Sequence, residues 1–520
     1  MEINRNISTT QLTWIVGTLV GLVMAVFMGS AVGSADFSFV SIVLGVGIGI
    51  ATFLILGKNY WLLIPFSLGA SFPALPVGGR TLDFPELAIA GSGLFFLLRL
   101  ASRKEKLLIF RQASVPILLF VAWVSMVFIV NPVGLAMLGS EMGGGRFYLK
   151  LALSFTAFLI MSNREYTERE MRWIFAILIF GACFSLVYGF AEHTIVGPAV
   201  NITTGMVANE FYTWHQLLAG PPLTISFLIF ARWSPKEIFS LQRIWLFLGY
   251  FVCLALVLLS GKRMAMISMV VVPLISAIAW RQFIPIFVAL ILATGSLLVL
   301  TAGHGQLFQL PLVAQRTISF LPGDWDPEME QMAGGKDEWR EELRFWATQM
   351  IKAAPWVGSG FALNIQETSM AAAMGERGGT MDIQVASYVL GRSWHNTWLG
   401  YAADFGIPLS VIQAIIYIWV IVLSAKVFRQ YGNRSLFGVF ALYLLLFTVR
   451  DLFSSHTSGH TALDAWSRWW MYGVLVSLYC ALPKKQGAIP AGSVDAKLRN
   501  QPMPIPALNL AGRRVSEPAS

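Results

Sequence analysis

The feature that most limits the fold of this chain is a succession of about fourteen apolar runs, each close to the roughly 20 residues that a helix needs to cross a bilayer. The runs cover approximately residues 13–33, 38–56, 60–78, 84–100, 114–131, 147–162, 171–191, 214–231, 244–260, 264–280, 283–301, 403–425, 435–452 and 466–482. The third contains Pro65, Pro73 and Pro76, so we expect that span to be broken or re-entrant. Since only 12% of the 520 residues are charged and 56% are hydrophobic, a soluble globule, a disordered chain and a coiled coil are excluded. The pattern predicts an all-α polytopic membrane protein with about 14 transmembrane helices, in a range of about 12–14.

The distribution of basic residues predicts the orientation of these spans. When the N-terminus is placed in the cytoplasm, about 23 of the 37 basic residues but only about 8 of the 28 acidic residues fall on the inner side. This distribution agrees with the positive-inside rule, and we expect both termini to be cytoplasmic. The formal net charge of +9 is too thinly spread for a nucleic-acid surface, so no nucleic-acid partner is expected.

Four regions follow from this topology. We expect an N-terminal transmembrane bundle of about 11 spans over 1–301, a long outer loop domain with helices over 302–394, C-terminal transmembrane helices over 395–482, and a Pro-rich, disordered cytoplasmic tail over 483–520. The first run, 13–33, is longer than the apolar core of a signal peptide and is expected to be retained.

No sequence feature indicates a cofactor. Cys183, Cys253 and Cys480 all lie inside apolar runs, so they indicate neither a disulfide framework nor a thiolate metal site. The chain contains no P-loop, Rossmann fingerprint or HExxH motif. We therefore expect neither a metal nor a nucleotide cofactor.

The position of the polar residues separates the classes of polytopic membrane protein. Transporters and pumps usually place ionisable groups in the middle of their spans. Here the span centres are nearly free of such groups, which gather at the outer ends of the spans and in the long loop. This pattern favours a site at the outer membrane–water boundary.

The long loop contains a predicted helix over 337–353 with two arginines on one face, Arg340 and Arg344, because residues four apart project in the same direction. A proline ends this helix, and Gly358 and Gly360 follow in a tight turn. Adjacent glutamates allow a solvated surface helix with Arg–Glu pairs. The alternative is a pair of guanidinium groups that bind phosphate oxygens, for which their planar shape is suited.

A single histidine, His395, lies at the predicted start of an amphipathic helix that runs into the next span, with Ser393 as its N-cap. A histidine at such a boundary is compatible with a structural, hydrogen-bonded role. It is also compatible with a general base, since imidazole titrates near neutral pH. These residues alone leave both roles open.

Three further cations lie on the outer side, against the prevailing charge pattern. Lys262 and Arg263 occupy a hairpin that leaves almost no loop between two spans, and Arg146 opens a span after three consecutive glycines. Lys262 and Arg263 either extend to lipid phosphates or bind an anionic ligand. The glycines before Arg146 allow a close backbone approach, which leaves that residue either structural or functional.

Four of these motifs occur in a fixed order along the chain. The sequence LSGKRMAM precedes a span, a long outer loop then carries R-x-x-x-R-x-W and P-x-x-G-x-G, and an HN pair and a D-F-G-I-P-L helix start follow. Each piece alone is weak, but the ordered set resembles the O-antigen ligase/polymerase superfamily. The resemblance covers roughly residues 250–425, whereas the N-terminal spans match only in hydropathy and order.

This resemblance implies a multi-pass bacterial inner-membrane glycosyltransferase with a GT-C-like fold and an active site in the periplasmic loop region. Such enzymes take a glycan from an undecaprenyl-pyrophosphate-linked donor and transfer it without a metal or nucleotide. Ligases of lipopolysaccharide biosynthesis use the lipid A core as acceptor, polymerases of O-antigen or exopolysaccharide use another lipid-linked repeat unit, and relatives glycosylate proteins. The implied partners are the lipid-linked donor, a glycan or lipid-linked acceptor, the bilayer and other polysaccharide-assembly proteins.

The resemblance also implies roles for particular residues. Arg263 corresponds to the family's arginine before a span, and His395 with Asn396 matches its His–Asn pair. Arg340 fits the loop arginine by its spacing to the following proline. Where the family usually has a tryptophan four residues later, this chain has Arg344, which leaves open which arginine carries the loop role.

Together these roles imply an inverting transfer. His395 is the expected catalytic base for the acceptor hydroxyl, and basic side chains are expected to bind the donor pyrophosphate. The donor-binding set comprises Arg263, Arg340, Arg344, Lys262 and Arg146, with Asn396, Gly358 and Gly360 in supporting positions. The alternatives are a transporter or flippase of lipid-linked sugars and a non-catalytic polysaccharide-assembly protein.

Overall fold

The computed structural model describes residues 47, 49, 51–69, 75–77, 80–104, 112–133, 144–196, 200–201, 206–207, 218–327, 329–330, 338–361, 385–386, 388–454 and 461–482. The main helices in these ranges are α1 (Ala51–Gly69, with a 3-10 segment at Gly57–Leu62), α2 (Phe84–Ala101), α3 (Val115–Val130), α4 (Gly145–Ser162), α5 (Glu168–Val196), α6 (Gly220–Arg232), α7 (Pro235–Ile238), α8 (Ile244–Leu258), α9 (Arg263–Trp280), α10 (Phe283–Gly303), α11 (Leu312–Ile318), α12 (Glu338–Ala353), α13 (Thr397–Phe405), α14 (Ile407–Tyr431), α15 (Leu436–Ser454) and α16 (Thr461–Cys480). Two short antiparallel hairpins pair β1 (Leu75–Val77) with β2 (Arg80–Leu82) and β3 (Val200–Asn201) with β4 (Met206–Val207). The described residues up to Ala481 form one compact unit.

Seven helices in the described ranges are long and apolar enough to cross a membrane. They are Ala51–Gly69, Phe84–Ala101, Glu168–Tyr188, Leu241–Leu258, Arg263–Trp280, Ile407–Tyr431 and Leu436–Ser454. The prediction of a helical, polytopic membrane protein is therefore confirmed. The total of about 14 spans, the GT-C-like arrangement and the four-region division stay predictions. The run 13–33, most of 38–56 and the tail 483–520 lie outside the described residues.

The outward faces of the helices are apolar. In α8, Leu248, Phe251 and Val252 expose 54%, 56% and 58% of their surface, which is unusual for side chains of this kind in water but suited to acyl chains. In contrast, α15 buries residues on all sides, among them Phe440 and Leu444, so it is an interior helix of the bundle.

Polar contacts join several helix termini at one end of the bundle. Arg164, which follows α4, pairs with Glu170 in the first turn of α5 at 2.9 Å. Glu168 accepts a hydrogen bond from the hydroxyl of Ser435 just before α15, and Ser477 near the end of α16 donates to the carbonyl of Arg164. Helices α4 and α16 end here and α15 begins here. The starts of α4 and α16 and the end of α15 therefore lie at the opposite end of the bundle.

The opposite end contains the candidate residues, and we call it the site end. It comprises the starts of α2, α4, α9, α14 and α16, the ends of α3, α8, α10 and α15, and the helices α11 to α13 that lie between spans. Hydrogen bonds join several of these elements. Asn131 after α3 donates to the carbonyl of Gly358 after α12, and Arg450 near the end of α15 donates to the hydroxyl of Ser268 in the second turn of α9.

Two of the predicted spans differ from the structure in extent. The run 60–78 is broken, as its prolines predict: it is helical only as far as Gly69, and part of its second half is strand β1, where a proline removes one of the N–H donors that a helix needs. The run 403–425 contains a break at Gly406, whose φ of 81° is left-handed and ends α13, so the spanning helix α14 starts at Ile407.

Candidate functional site

His395, in the segment that precedes α13, packs against two aromatic rings. The imidazole centroid is 5.1 Å from the ring of Trp339 and 4.6 Å from that of Tyr388, edge-to-face in both cases. The backbone of His395 is left-handed, with φ 48°, a conformation that costs about 1–3 kcal/mol for a residue other than glycine. Such strain persists only where the surroundings enforce it, and here two rings pack on the side chain.

Asn396 fixes the start of the helix immediately after His395. Its Oδ1 accepts a hydrogen bond from the N–H of Leu399 over 3.1 Å, and Thr397 is the first helical residue. The prediction of Ser393 as N-cap was wrong, since the cap lies three residues later and the N–H of Ser393 donates to the carbonyl of Tyr388. The side chain next to His395 is thus used to hold the backbone.

The two loop arginines differ in their surroundings. The guanidinium carbon of Arg340 lies 5.0 Å from the ring centroid of Trp339, the same ring that contacts His395. Arg344 is exposed one turn further along α12. The structure therefore brings Arg340, rather than Arg344, into one cluster with the histidine.

Gly358 and Gly360 form a turn that docks on the junction between α13 and α14. The N–H of Gly360 donates to the carbonyl of Asp404 over 2.6 Å, and the N–H of Ser359 donates to the carbonyl of Ala403 over 3.2 Å. Both glycines have positive φ, and a Cβ on Gly358 would approach the backbone of Asp404 to 2.5 Å. Glycine is therefore required at 358 both by conformation and by space.

A fully buried ion pair lies beneath this turn. Arg392 and Asp404 are both 0% exposed, with Nη1 and Oδ1 3.8 Å apart. The same carboxylate oxygen accepts a hydrogen bond from Nε1 of Trp394 over 3.1 Å, and Arg392 donates to the hydroxyl of Ser359. Asp404 thus holds the segment just before His395 with its side chain and the glycine turn with its carbonyl.

The Lys262–Arg263 hairpin opens helix α9 at the site end. Lys262 is the N-cap residue, and Nε of Arg263 donates to the carbonyl of Arg316 in α11 over 3.1 Å. Although Lys262 keeps an exposed surface, burial by the surrounding protein lowers the pKa of its amine, and the positive charge of Arg450 lowers it further. Two basic side chains, Lys262 and Arg450, thus lie near each other at the start of α9.

A second buried charge cluster, absent from the sequence predictions, joins α15 to α16. Asp451 is 2% exposed and pairs with Arg450 and with Arg468, each at 2.9 Å. Arg468 also donates to the hydroxyl of Tyr417 in α14 over 2.8 Å. The sequence did contain a signal for this cluster: Arg450 and Asp451 lie at the end of the apolar run 435–452, and Arg468 lies within the run 466–482. Ionisable residues in membrane spans commonly mark functional positions.

Contacts connect this cluster to the helix that follows His395. The ring of Tyr417 lies 5.8 Å from that of Trp398 in the first turn of α13. In the other direction, Arg450 acts on Lys262 and bonds to Ser268 of α9. A path of side-chain contacts therefore leads from Ser268 of α9 to the start of α13.

Arg146 lies at the site end, where two carboxylates neutralise its positive charge. It is 5% exposed, and its guanidinium pairs with Glu86 and Asp83, each at 3.1 Å. Lys150 one turn later binds Asp83 at 2.9 Å. Two cations of α4 thus face two carboxylates at the start of α2, and the pairing ties these helices together.

Within the ranges described above, no three His, Cys, Asp or Glu side chains lie close enough together to hold a metal ion. The site end is instead rich in guanidinium groups, of which Arg263, Arg340 and Arg450 are each at least partly accessible. Such a set is suited to an anion with several oxygens.

A family model matches part of the chain. Residues 248–414, about a third of the chain, match the family model described as O-antigen ligase. The matched segment contains the Lys262–Arg263 hairpin, Arg340, the glycine turn and His395. No curated protein matches the chain. The match confirms the resemblance to the O-antigen ligase/polymerase superfamily: over residues 248–414 this polytopic membrane protein is similar to O-antigen ligases.

Proposed function

We propose that the chain is a bacterial inner-membrane glycosyltransferase that transfers or polymerises glycan from an undecaprenyl-pyrophosphate-linked donor onto a sugar hydroxyl at the periplasmic face. The observation that carries the proposal is that His395 and Arg340 contact one ring, Trp339, inside the segment that matches O-antigen ligases. A base and a phosphate-binding cation held this close together are what the transfer requires.

The leaving group explains the number of cations. When the bond between sugar carbon one and the donor phosphate breaks, negative charge grows on the pyrophosphate, and fixed cations at a low-dielectric boundary stabilise that charge. In the proposal, the side chains of Arg340, Arg263 and Lys262 are these cations. The carbonyl of Arg316 accepts a hydrogen bond from Arg263 and so holds it in place. The exposed Arg344 is a peripheral member of this set.

Arg146 is the weakest member of the donor-binding set. Its guanidinium already binds two carboxylates, Glu86 and Asp83, and a phosphate would have to compete with both. Its contribution in the proposal is to hold α2 against α4, and so to support the site end.

The acceptor step assigns a role to His395. The acceptor oxygen attacks carbon one on the side opposite the pyrophosphate, the carbon–phosphate oxygen bond breaks with its electrons going to the pyrophosphate, and the hydroxyl proton passes to the imidazole. A single displacement of this kind inverts the configuration at carbon one. Asn396, Gly358 and Gly360 hold the backbone around the base and do not take part in bond making.

The test uses the full-length protein in nanodiscs with a lipid-linked oligosaccharide donor, and products are analysed by mass and anomeric configuration. We expect inverted product from the unaltered protein and at least about a 100-fold loss in His395→Gln, which keeps a polar side chain but cannot accept the proton at neutral pH. Equal rates in the two proteins would contradict the base assignment. In proteoliposomes, which separate two compartments, movement of the donor across the bilayer without product would support the flippase alternative. A ladder of repeats identifies a polymerase, and a single transfer identifies a ligase.

A further inference from the structure

We propose that Trp339 is a positioning residue that couples the phosphate-binding Arg340 to the base His395. This inference rests on the proposed function and adds to it a residue with no ionisable group. The indole does not contact the reacting atoms in this proposal. It fixes the position of two groups that do.

The contacts of Trp339 place it between the two groups. Its ring lies 5.0 Å from the guanidinium carbon of Arg340 and 5.1 Å from the imidazole of His395. It also lies 5.3 Å from the ring of Tyr388, which itself contacts His395 at 4.6 Å. Three rings therefore contact one another, and the guanidinium rests on one of them.

The indole of Trp339 is held by apolar packing. Trp339 packs on a buried apolar cluster that includes Leu343, Ala347 and Val389, and this cluster joins α12 to the segment before His395. A side chain fixed to such a cluster cannot move independently of it. The position of Arg340 relative to His395 is thus set by a rigid surface, although the two residues lie on separate elements of the chain.

The strained backbone of His395 makes this support necessary. His395 has an unfavourable φ of 48°, and we expect its position to depend on the two rings that pack on its side chain. A displacement of about 1 Å in a reacting group can cost on the order of 100-fold in rate. Loss of the indole should therefore lower catalysis far more than it lowers stability.

The test compares Trp339→Ala, Trp339→Phe and the matched control Trp346→Ala in the full-length protein. Trp346 is on the same helix and packs on the same cluster, so its truncation reproduces the loss of packing. We expect Trp339→Ala to lower kcat about 10- to 100-fold and to raise the donor KM, and Trp339→Phe to recover most of both. Trp346→Ala should leave the donor KM unchanged. Equal kinetic losses in the two alanine variants would overturn the proposal.

A double-mutant cycle separates coupling from a general loss of structure. In a His395→Gln background, Trp339→Ala should lower the residual rate by a clearly smaller factor than in the unaltered protein, since only one of the two groups it positions, Arg340, is still present. If Trp339→Ala costs the same factor with and without His395, the indole does not act through the histidine.

A readout without turnover distinguishes failure of this inference from failure of the proposed function. The chain has six histidines, and the ring signals of His395 are identified in a histidine-labelled sample by their loss in His395→Gln. Trp339→Ala should shift these signals and Trp346→Ala should not, because only the former ring lies against the imidazole. Unchanged signals in Trp339→Ala would refute the positioning role even in a protein that transfers glycan. A shift in a protein without transferase activity would refute the proposed function alone.

Discussion

The N–H of Gly360 donates a hydrogen bond to the carbonyl oxygen of Asp404 over 2.6 Å, and this bond joins the turn after the loop helix α12 to the last residues before the span α14. The side chain of Asp404 meanwhile binds Arg392 and Trp394, just ahead of His395. One residue therefore connects the three segments that surround the candidate base, and several consequences of that arrangement can be measured.

The glycine turn should not tolerate a side chain. Gly358→Ala places a Cβ about 2.5 Å from the backbone of Asp404 at a residue with φ 69°, so we expect a loss of at least about 1–3 kcal/mol in the free energy of unfolding. The control is Gly295→Ala in α10, where a Cβ would meet nothing within 4 Å. There the change should be neutral or stabilising by about 0.5–1 kcal/mol. Thermal unfolding in detergent measures both, and equal Tm values for the two variants would contradict the docking of the turn.

The buried Arg392–Asp404 pair should be sensitive to the loss of one partner. Asp404→Asn leaves a guanidinium with 0% exposure uncompensated, so we expect a destabilisation of about 3–5 kcal/mol. The double variant Arg392→Met/Asp404→Leu removes both charges and should recover part of that loss. Asp324→Asn, at an exposed position, is the control and should change Tm little. Asp404→Asn with the Tm of the unaltered protein would show that the pair is not charged in the fold.

The sequence predicted the architecture better than it predicted the site. Apolar runs determine where helices can span, because no other open structure satisfies its backbone in lipid, and this holds whatever the helices pack against. Pairing is different: Asp451 meets Arg468 across two helices, and Asp404 meets Arg392 only because a turn reverses the chain between them. Periodicity gives the face of a helix and carries no information on which face of another helix it meets. The break at Gly406 is a different case: the glycine and the proline of the D-F-G-I-P-L motif signal a new helix start locally, but the apolar run 403–425 was still predicted to be continuous.

Alanine substitutions of the two loop arginines, Arg340 and Arg344, should affect the donor KM and kcat to different extents. Arg340 rests on the ring that contacts His395, whereas Arg344 is exposed, so we expect Arg340→Ala to raise the donor KM and lower kcat together by about 10- to 100-fold. Arg344→Ala is the matched control, one turn away on the same helix, and should change either constant by less than about threefold. The measurement is initial transfer rate against donor concentration. A larger loss in Arg344→Ala would assign the loop role to that residue instead.

Because of Lys262, donor affinity should fall at alkaline pH. The pKa of its amine lies below the ordinary lysine value of 10.5, first because burial disfavours the charged form and second because Arg450 repels it. Only the protonated amine attracts the pyrophosphate, so donor affinity should fall as pH rises through this lowered pKa. Folding responds with the opposite sign: between the lowered pKa and 10.5 the unfolded chain binds more protons, so this residue makes the fold more stable as pH rises.

These opposite trends make the assignment testable with one substitution. In Lys262→Arg the guanidinium stays charged throughout, and the donor KM should become independent of pH between about pH 7 and 10. Lys352→Arg, at an exposed position near the end of α12, is the control and should keep the alkaline rise in KM. If the rise persists in Lys262→Arg, the titrating group is elsewhere, and the hairpin contributes to the donor site through Arg263 alone.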